Sequence, residues 1–101
     1  MTVTVEFLSL PNVVEMVGSR SVAIDLPGAT GATGATVPDL IAALVRRFGE
    51  PLGAFLLDPS GALDYAVQVR LNRREWLRRE QFDRPLADGD HVTFAMLLGG
   101  G

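Results

Sequence analysis

The sequence contains no cysteine and only one histidine, His91, among its 101 residues. Without cysteine there can be no disulfide bonds, thiol nucleophiles or thiolate metal sites, and a single histidine makes a Ser-His-Asp site improbable. All nine basic residues are arginine, so no side chain carries a primary amine. We therefore expect a protein that is not an enzyme on its own and that binds neither a metal nor a cofactor.

The sequence also lacks an excess of basic residues and a long apolar run. The formal net charge is −3 and the pI is near 4.9, which argues against a nucleic-acid partner. The arginines of residues 72–80 are interpreted as a solvated hairpin. No apolar run reaches the roughly 20 residues that span a bilayer, and the first ten residues do not resemble a secretory signal. We expect a cytoplasmic protein with no membrane partner.

The first part of the chain predicts two strands. Val3, Val5 and Phe7 alternate with polar residues, the period of two that is typical of a half-buried strand. Residues 12–20 are predicted to be a turn around Gly18, and alternation resumes over residues 22–26. The two strands are therefore expected to form a hairpin.

One long helix is predicted after a low-complexity tract. The tract repeats Gly-Ala-Thr three times over residues 28–36 and has no large apolar side chain, so a mobile loop is expected. Thr36 is a suitable N-cap with Asp39 three residues later, and apolar residues then follow at helical spacing from Val37 to Phe48. This pattern predicts a helix with one face on the core.

The rest of the chain predicts a short helical turn over residues 51–57 and a type I turn at 58–61. A third strand is expected over residues 65–71, a short strand over 76–79, and a last strand after the turn Asp88-Gly89-Asp90. The fold class is thus predicted to be α+β, with one main helix crossing a mixed sheet of four to five strands.

The last part of the chain has a distinctive pattern. It reads Pro85-Leu86-Ala87-Asp88-Gly89-Asp90-His91-Val92 and continues with an apolar strand and a Gly-Gly end. This pattern resembles the MoaD/ThiS family of β-grasp, ubiquitin-like sulfur carriers. The elements occur in the order found in that family. The Leu-Asp-Pro-Ser-Gly segment is more similar to the MoaD branch, the molybdopterin synthase small subunit, or to the cysteine-synthesis sulfur carriers than to the more compact thiamine carrier, and the chain as a whole most resembles the MoaD branch. The resemblance implies a single β-grasp domain over residues 1–98 and a flexible glycine tail, Gly99–Gly101.

The resemblance also implies a chemistry for the tail. In this family a ubiquitin-activating-type adenylating enzyme uses ATP to activate the C-terminal carboxylate, here that of Gly101, and a sulfur donor converts it to a thiocarboxylate. Gly99 and Gly100 would be the residues held in the partner's channel, because residues without Cβ pass a narrow channel. Three extended residues reach about 10 Å.

A docking surface is expected beside the tail. If Val92, Phe94, Met96 and Leu98 face the core, Ala95 and Leu97 point outward next to the tail. An apolar pair at this place is interpreted as the edge of a partner-docking surface, with Leu97 as the main contact.

Several functions remain open at this point. The leading hypothesis is a carrier that donates sulfur in molybdopterin (molybdenum cofactor) biosynthesis and acts with the molybdopterin synthase large subunit. The alternatives are a sulfur carrier for thiamine or cysteine synthesis, a ubiquitin-like protein modifier, and a plain β-grasp binding module that makes no use of the tail.

Overall fold

A mixed five-stranded sheet forms the centre of the molecule. The computed structural model describes residues 1–26 and 35–96. Its elements are β1 (Thr2–Leu8), α1 (Pro11–Val17), β2 (Ser21–Asp25), α2 (Val37–Phe48), α3 (Glu50–Leu56), β3 (Val67–Leu71), β4 (Glu75–Leu77), a 3₁₀ turn (Arg79–Gln81) and β5 (His91–Met96). The strand order is β2-β1-β5-β3-β4. The pair β1–β5 is parallel and the other neighbouring pairs are antiparallel.

The predicted alternation of β1 is confirmed. Val3 and Val5 are fully buried and Phe7 is 1% exposed, whereas the residues between them are only partly covered. Phe7 lies opposite Phe94 of β5, and the two rings stack with their centroids 6.1 Å apart. This pair therefore joins the two central strands within the core, where aromatic contacts add to the free energy of burial.

The predicted helix over residues 37–48 is α2, and its N-terminus is capped as expected. The Asp39 carboxylate accepts hydrogen bonds from the Thr36 backbone N–H at 2.9 Å and from the Thr36 hydroxyl at 3.1 Å. Leu40 and Leu44 are fully buried one turn apart and belong to the same core cluster as the inner face of the sheet. The helix thus covers that face with its apolar side.

The prediction of a turn over residues 12–20 was wrong, because residues Pro11–Val17 form α1. The segment is too short and too rich in valine to be recognised as a helix from its period. Pro11 occupies the first turn, Val13 is fully buried, and Gly18 ends the helix at φ 86° while its N–H donates to the Val14 carbonyl at 2.8 Å. The first two strands are therefore antiparallel neighbours joined by a helix.

The later elements follow the prediction with shorter strands. α3 replaces the expected helical turn, and the 58–61 turn closes with the Gly61 N–H donating to the Asp58 carbonyl at 2.9 Å. β3 begins at Val67 and not at Tyr65, because the Asp64 carboxylate and carbonyl accept the N–H groups of Ala66 and Val67 in a turn. β4 covers only Glu75–Leu77, since the 3₁₀ turn follows directly.

Two predicted segments lie outside the described residues. These are most of the Gly-Ala-Thr tract, residues 27–34, and the end of the chain, residues 97–101. The mobile loop, the domain boundary at residue 98 and the flexible tail therefore stay predictions. Within the described ranges, no helix has both the length and the apolar character that crossing a bilayer requires.

The cap of α1 gives a testable prediction about Gly18. A Cβ at this position would meet no atom within 4 Å, so the cost of a side chain is purely conformational. We expect Gly18→Ala to lower the free energy of unfolding by about 1 kcal/mol, and Gly18→Asn to lower it less, because asparagine tolerates positive φ. Urea unfolding of both variants measures this difference, and equal stability of Gly18→Ala and the wild type would contradict the left-handed cap.

Candidate functional site

The strand that leads to the predicted tail lies at the centre of the sheet. β5 pairs with β1 on one side and β3 on the other, and its inner residues Val92 and Phe94 are fully buried. Met96 packs against the core, as its place in the alternation predicts. The last described strand is therefore paired on both sides. Leu97, Gly99, Gly100 and Gly101 lie outside the described residues, so their roles as docking and tail residues stay predictions.

The predicted docking residue Ala95 lies on the outer face of the sheet, the face opposite the helices. It is half-buried and stands between Leu8 of β1 and Gln68 of β3 in the register of the strands. Tyr65 precedes β3 at the edge where β5 ends, and it is 82% exposed. Leu8, Ala95 and Gln68 thus lie side by side across the three central strands near the end of β5.

The exposure of Tyr65 was not predicted, because the alternation pattern includes this residue in the third strand. The signal that separates it from the strand is Asp64, because an aspartate that accepts backbone N–H groups two and three residues later is typical of a turn. An exposed tyrosine at this position adds an amphipathic side chain to the surface of the domain.

A row of polar side chains on the outer face of the sheet is centred on Glu6, which no sequence pattern indicated. Its carboxylate lies 3.0 Å from His91 Nε2, accepts a hydrogen bond from the Thr93 hydroxyl at 3.3 Å, and lies 3.6 Å from an Arg73 guanidinium nitrogen. Thr93 is fully buried although it is on the outer face. The polar row is therefore a closed network built across β1 and β5.

The network fixes the ionisation of Glu6. The hydrogen bond from His91 is the main cause that holds the pKa of Glu6 below its ordinary value, and Arg73 adds a favourable charge, while partial burial opposes both. Glu6 is therefore a stable carboxylate at neutral pH, which suits a structural ion pair better than a proton-transferring group.

The largest cavity lies on another part of the surface. It is an open groove of about 820 Å³ between α2 and the loop that follows α3, and its lining is mostly apolar, with Arg46, Glu50 and Arg79 as its charged residues. Within the described ranges, no group of three or more His, Asp or Glu side chains could hold a metal. The groove has the character of a cleft for an apolar group.

Comparisons with known proteins relate this geometry to solved structures. SAMP1 of Haloferax volcanii, a small archaeal modifier protein, superposes with a TM-score of 0.77 at 25% identity, and the match covers 100% of both chains. CysO of Mycobacterium tuberculosis superposes with a TM-score of 0.69 at 27% identity over 95% of this chain and 99% of that one. Urm1 of Trypanosoma brucei reaches 0.68 at 25% identity over 99% and 95%.

The chain has the β-grasp fold. The predicted fold class is thereby confirmed, and the neighbours are small ubiquitin-like carrier and modifier proteins rather than enzymes. No family model matches the sequence, and the search of curated proteins finds no match. The MoaD branch that the sequence resembles is thus supported only at the level of the wider β-grasp class.

The Glu6 network gives a prediction about pH dependence. Because the pKa of Glu6 is lower in the folded state, its contribution to stability is present above about pH 4.5, its ordinary value, and is lost as the pH falls below that value. We expect Glu6→Gln to lower the free energy of unfolding by about 1 kcal/mol at pH 7 and to weaken its decline below pH 4.5.

The matched control for this prediction is Glu15→Gln, since Glu15 is exposed on α1. Urea unfolding at several pH values from 3 to 7 should show a parallel curve for the control. A Glu6→Gln curve that is also parallel to the wild type would contradict the role of the network.

Proposed function

We propose that the chain is a sulfur carrier whose C-terminal Gly101 carboxylate is adenylated by a partner enzyme and then converted to a thiocarboxylate. The observation that carries this proposal is the full-length structural similarity to SAMP1, together with the glycine tail that follows the central strand. The similarity to CysO and Urm1 supports the same class of function.

The chemistry requires a partner because a carboxylate is an anion at neutral pH and a poor electrophile. In the proposed reaction a Gly101 carboxylate oxygen attacks the α-phosphorus of ATP and pyrophosphate leaves. Hydrosulfide released by the sulfur donor then attacks the carbonyl carbon of the acyl-adenylate and AMP leaves, so that the chain ends in a thiocarboxylate. The sulfur thus replaces one oxygen of the last residue, which explains how a protein without cysteine could carry sulfur.

The domain would contribute position and not catalysis. β5 is held on both sides by hydrogen-bonded strands, so the strand that precedes the tail in the sequence is fixed in the folded domain. Gly99 and Gly100 lack a Cβ and can adopt the backbone angles that a narrow channel imposes. The proposed partners are therefore a ubiquitin-activating-type adenylating enzyme and a sulfur donor, and ATP is a substrate of the former.

The destination of the sulfur is a separate part of the proposal. The sequence resemblance to the MoaD branch favours molybdopterin biosynthesis, with the molybdopterin synthase large subunit as acceptor. The structural similarity to CysO supports a carrier for another pathway, and the similarity to SAMP1 supports a modifier that is joined to lysines of targets. These functions share the adenylation step and differ in what attacks the activated tail.

Removal of Gly100 and Gly101 tests the proposed site. We expect the truncated chain to have the thermal melting curve of the full chain, because the glycines have no side chains to bury, and to lose all adenylation. The measurements are ATP–pyrophosphate exchange with the adenylating enzyme, and the mass of the chain after reaction with the sulfur donor.

The sulfur-carrier function and the protein-modifier function give different products in the same experiment. A carrier gains the mass that replacement of one oxygen by sulfur produces, whereas a modifier leaves its C-terminal residues on lysines of digested target proteins. Exchange that persists without Gly100 and Gly101 would overturn the proposed site.

A second prediction concerns the proposed docking residue Leu97. We expect Leu97→Asp to weaken binding to the adenylating enzyme by about tenfold or more, because a charge placed in a desolvated apolar contact is costly. Met16→Asp is the matched control, since Met16 is an exposed apolar residue on α1. Calorimetric titration measures both affinities, and circular dichroism checks that both variants fold. Equal binding of both variants would exclude docking through Leu97.

A further inference from the structure

The charges of this chain are strongly segregated. Residues 70–84 contain six of the nine arginines and three of the twelve acidic residues, a formal charge of +3, whereas the remainder carries −6. This segment forms part of β3, all of β4 and the 3₁₀ turn, so the fold gathers the positive charge at one edge of the sheet. An acidic protein therefore presents one basic edge.

An exposed tryptophan lies within this basic edge. Trp76 of β4 is 51% exposed and stands directly opposite Arg70 of β3, whose guanidinium carbon lies 5.2 Å from the centre of the indole ring. Arg74 and Arg78 flank Trp76 two residues away on either side and are also exposed. Tryptophan and arginine are the residues that most often dominate the binding energy of protein interfaces.

The arginines around Trp76 are not neutralised within the described part of the chain. Two nearby carboxylates form ion pairs with other residues. Glu6 pairs with His91 and Arg73. Glu75 pairs with Arg84 through two hydrogen bonds of 2.8 and 3.1 Å. No described carboxylate lies within 4 Å of a guanidinium nitrogen of Arg70, Arg74 or Arg78. Arg70 Nε is buried without any hydrogen-bond partner among these residues.

A groove lies beside β3 and β4 within the basic edge. It has a volume of about 400 Å³, and Gln68, Trp76, Arg78 and Phe82 are among its lining residues. Gln68 is the cross-strand partner of Ala95 on β5. The basic edge and the end of β5 are therefore separated by β3 alone.

We propose that Arg70, Arg74, Trp76 and Arg78, here called the arginine-tryptophan patch, dock an acidic surface of the adenylating enzyme. The partner's carboxylates pair with the free guanidinium groups, and an apolar recess receives the indole of Trp76. This inference rests on the proposed function, because it names the contact through which the enzyme holds the domain while the tail reacts. Docking by a protein is favoured over nucleic acid because the −6 charge of the remainder repels a phosphate backbone.

The test uses the full chain and the adenylating enzyme in ATP–pyrophosphate exchange. We expect Arg74→Glu/Arg78→Glu to raise the KM for the chain by about tenfold or more while kcat changes less than about twofold, because the patch binds and does not react. Raising the ionic strength should reduce the difference between this variant and the wild type. Trp76→Ala is the second variant, since it removes the aromatic contact and keeps every charge.

The matched control is Arg20→Glu/Arg46→Glu, which makes the same change in net charge at two exposed arginines outside the patch. Circular dichroism and urea unfolding verify that every variant folds. A control that raises KM as much as the patch variant would overturn the proposal, because net charge would then explain the effect. Unchanged KM in both patch variants would also overturn it and would leave the proposed tail chemistry intact.

Two further outcomes separate the competing explanations. Absence of exchange with the wild-type chain would overturn both the proposed function and this inference, which depends on the same enzyme. A single-stranded RNA of about 20 nucleotides serves as the other probe. Binding of this RNA by the wild type, with loss in the patch variants and no change of KM, would replace the protein partner by a nucleic acid.

Discussion

The parallel pairing of β1 with β5 is the contact on which the rest of the structure depends. It joins residues that are 87 positions apart in the sequence and brings Phe7 against Phe94 in the core. The same register places Glu6 beside Thr93 on the opposite face, where the polar network forms. One strand pair thus organises the apolar core on one face of the sheet and the polar row on the other.

Sequence patterns predicted the elements better than their contacts. The alternation of β1 and the Thr36–Asp39 cap of α2 are local signals, and both were confirmed. Helix α1 was missed because its valines favour extended structure and its stability comes from the tertiary burial of Val13. The Glu6 network could not be predicted either, since its members come from distant strands whose register no local pattern specifies.

The outer face of the sheet combines two kinds of charged groups. The carboxylate of Glu6 is surrounded by donors and forms a satisfied network, which stabilises the domain. At the edge, Arg70, Arg74 and Arg78 have no carboxylate within ion-pair distance in the described ranges. The nearby Glu75 forms its ion pair with Arg84. Satisfied groups contribute to stability and unsatisfied ones are available for binding, so the two halves of this face have different physical roles.

The central position of β5 has a consequence for quality control. Without β5 the sheet separates into the pair β1–β2 and the pair β3–β4, because β5 alone joins them. Contacts of such long sequence separation form slowly, and they form together with the core. The strand that precedes the proposed tail is therefore held on both sides only once the whole domain has folded. The proposed adenylation of the tail would therefore occur on a correctly folded chain and not on an unfolded one.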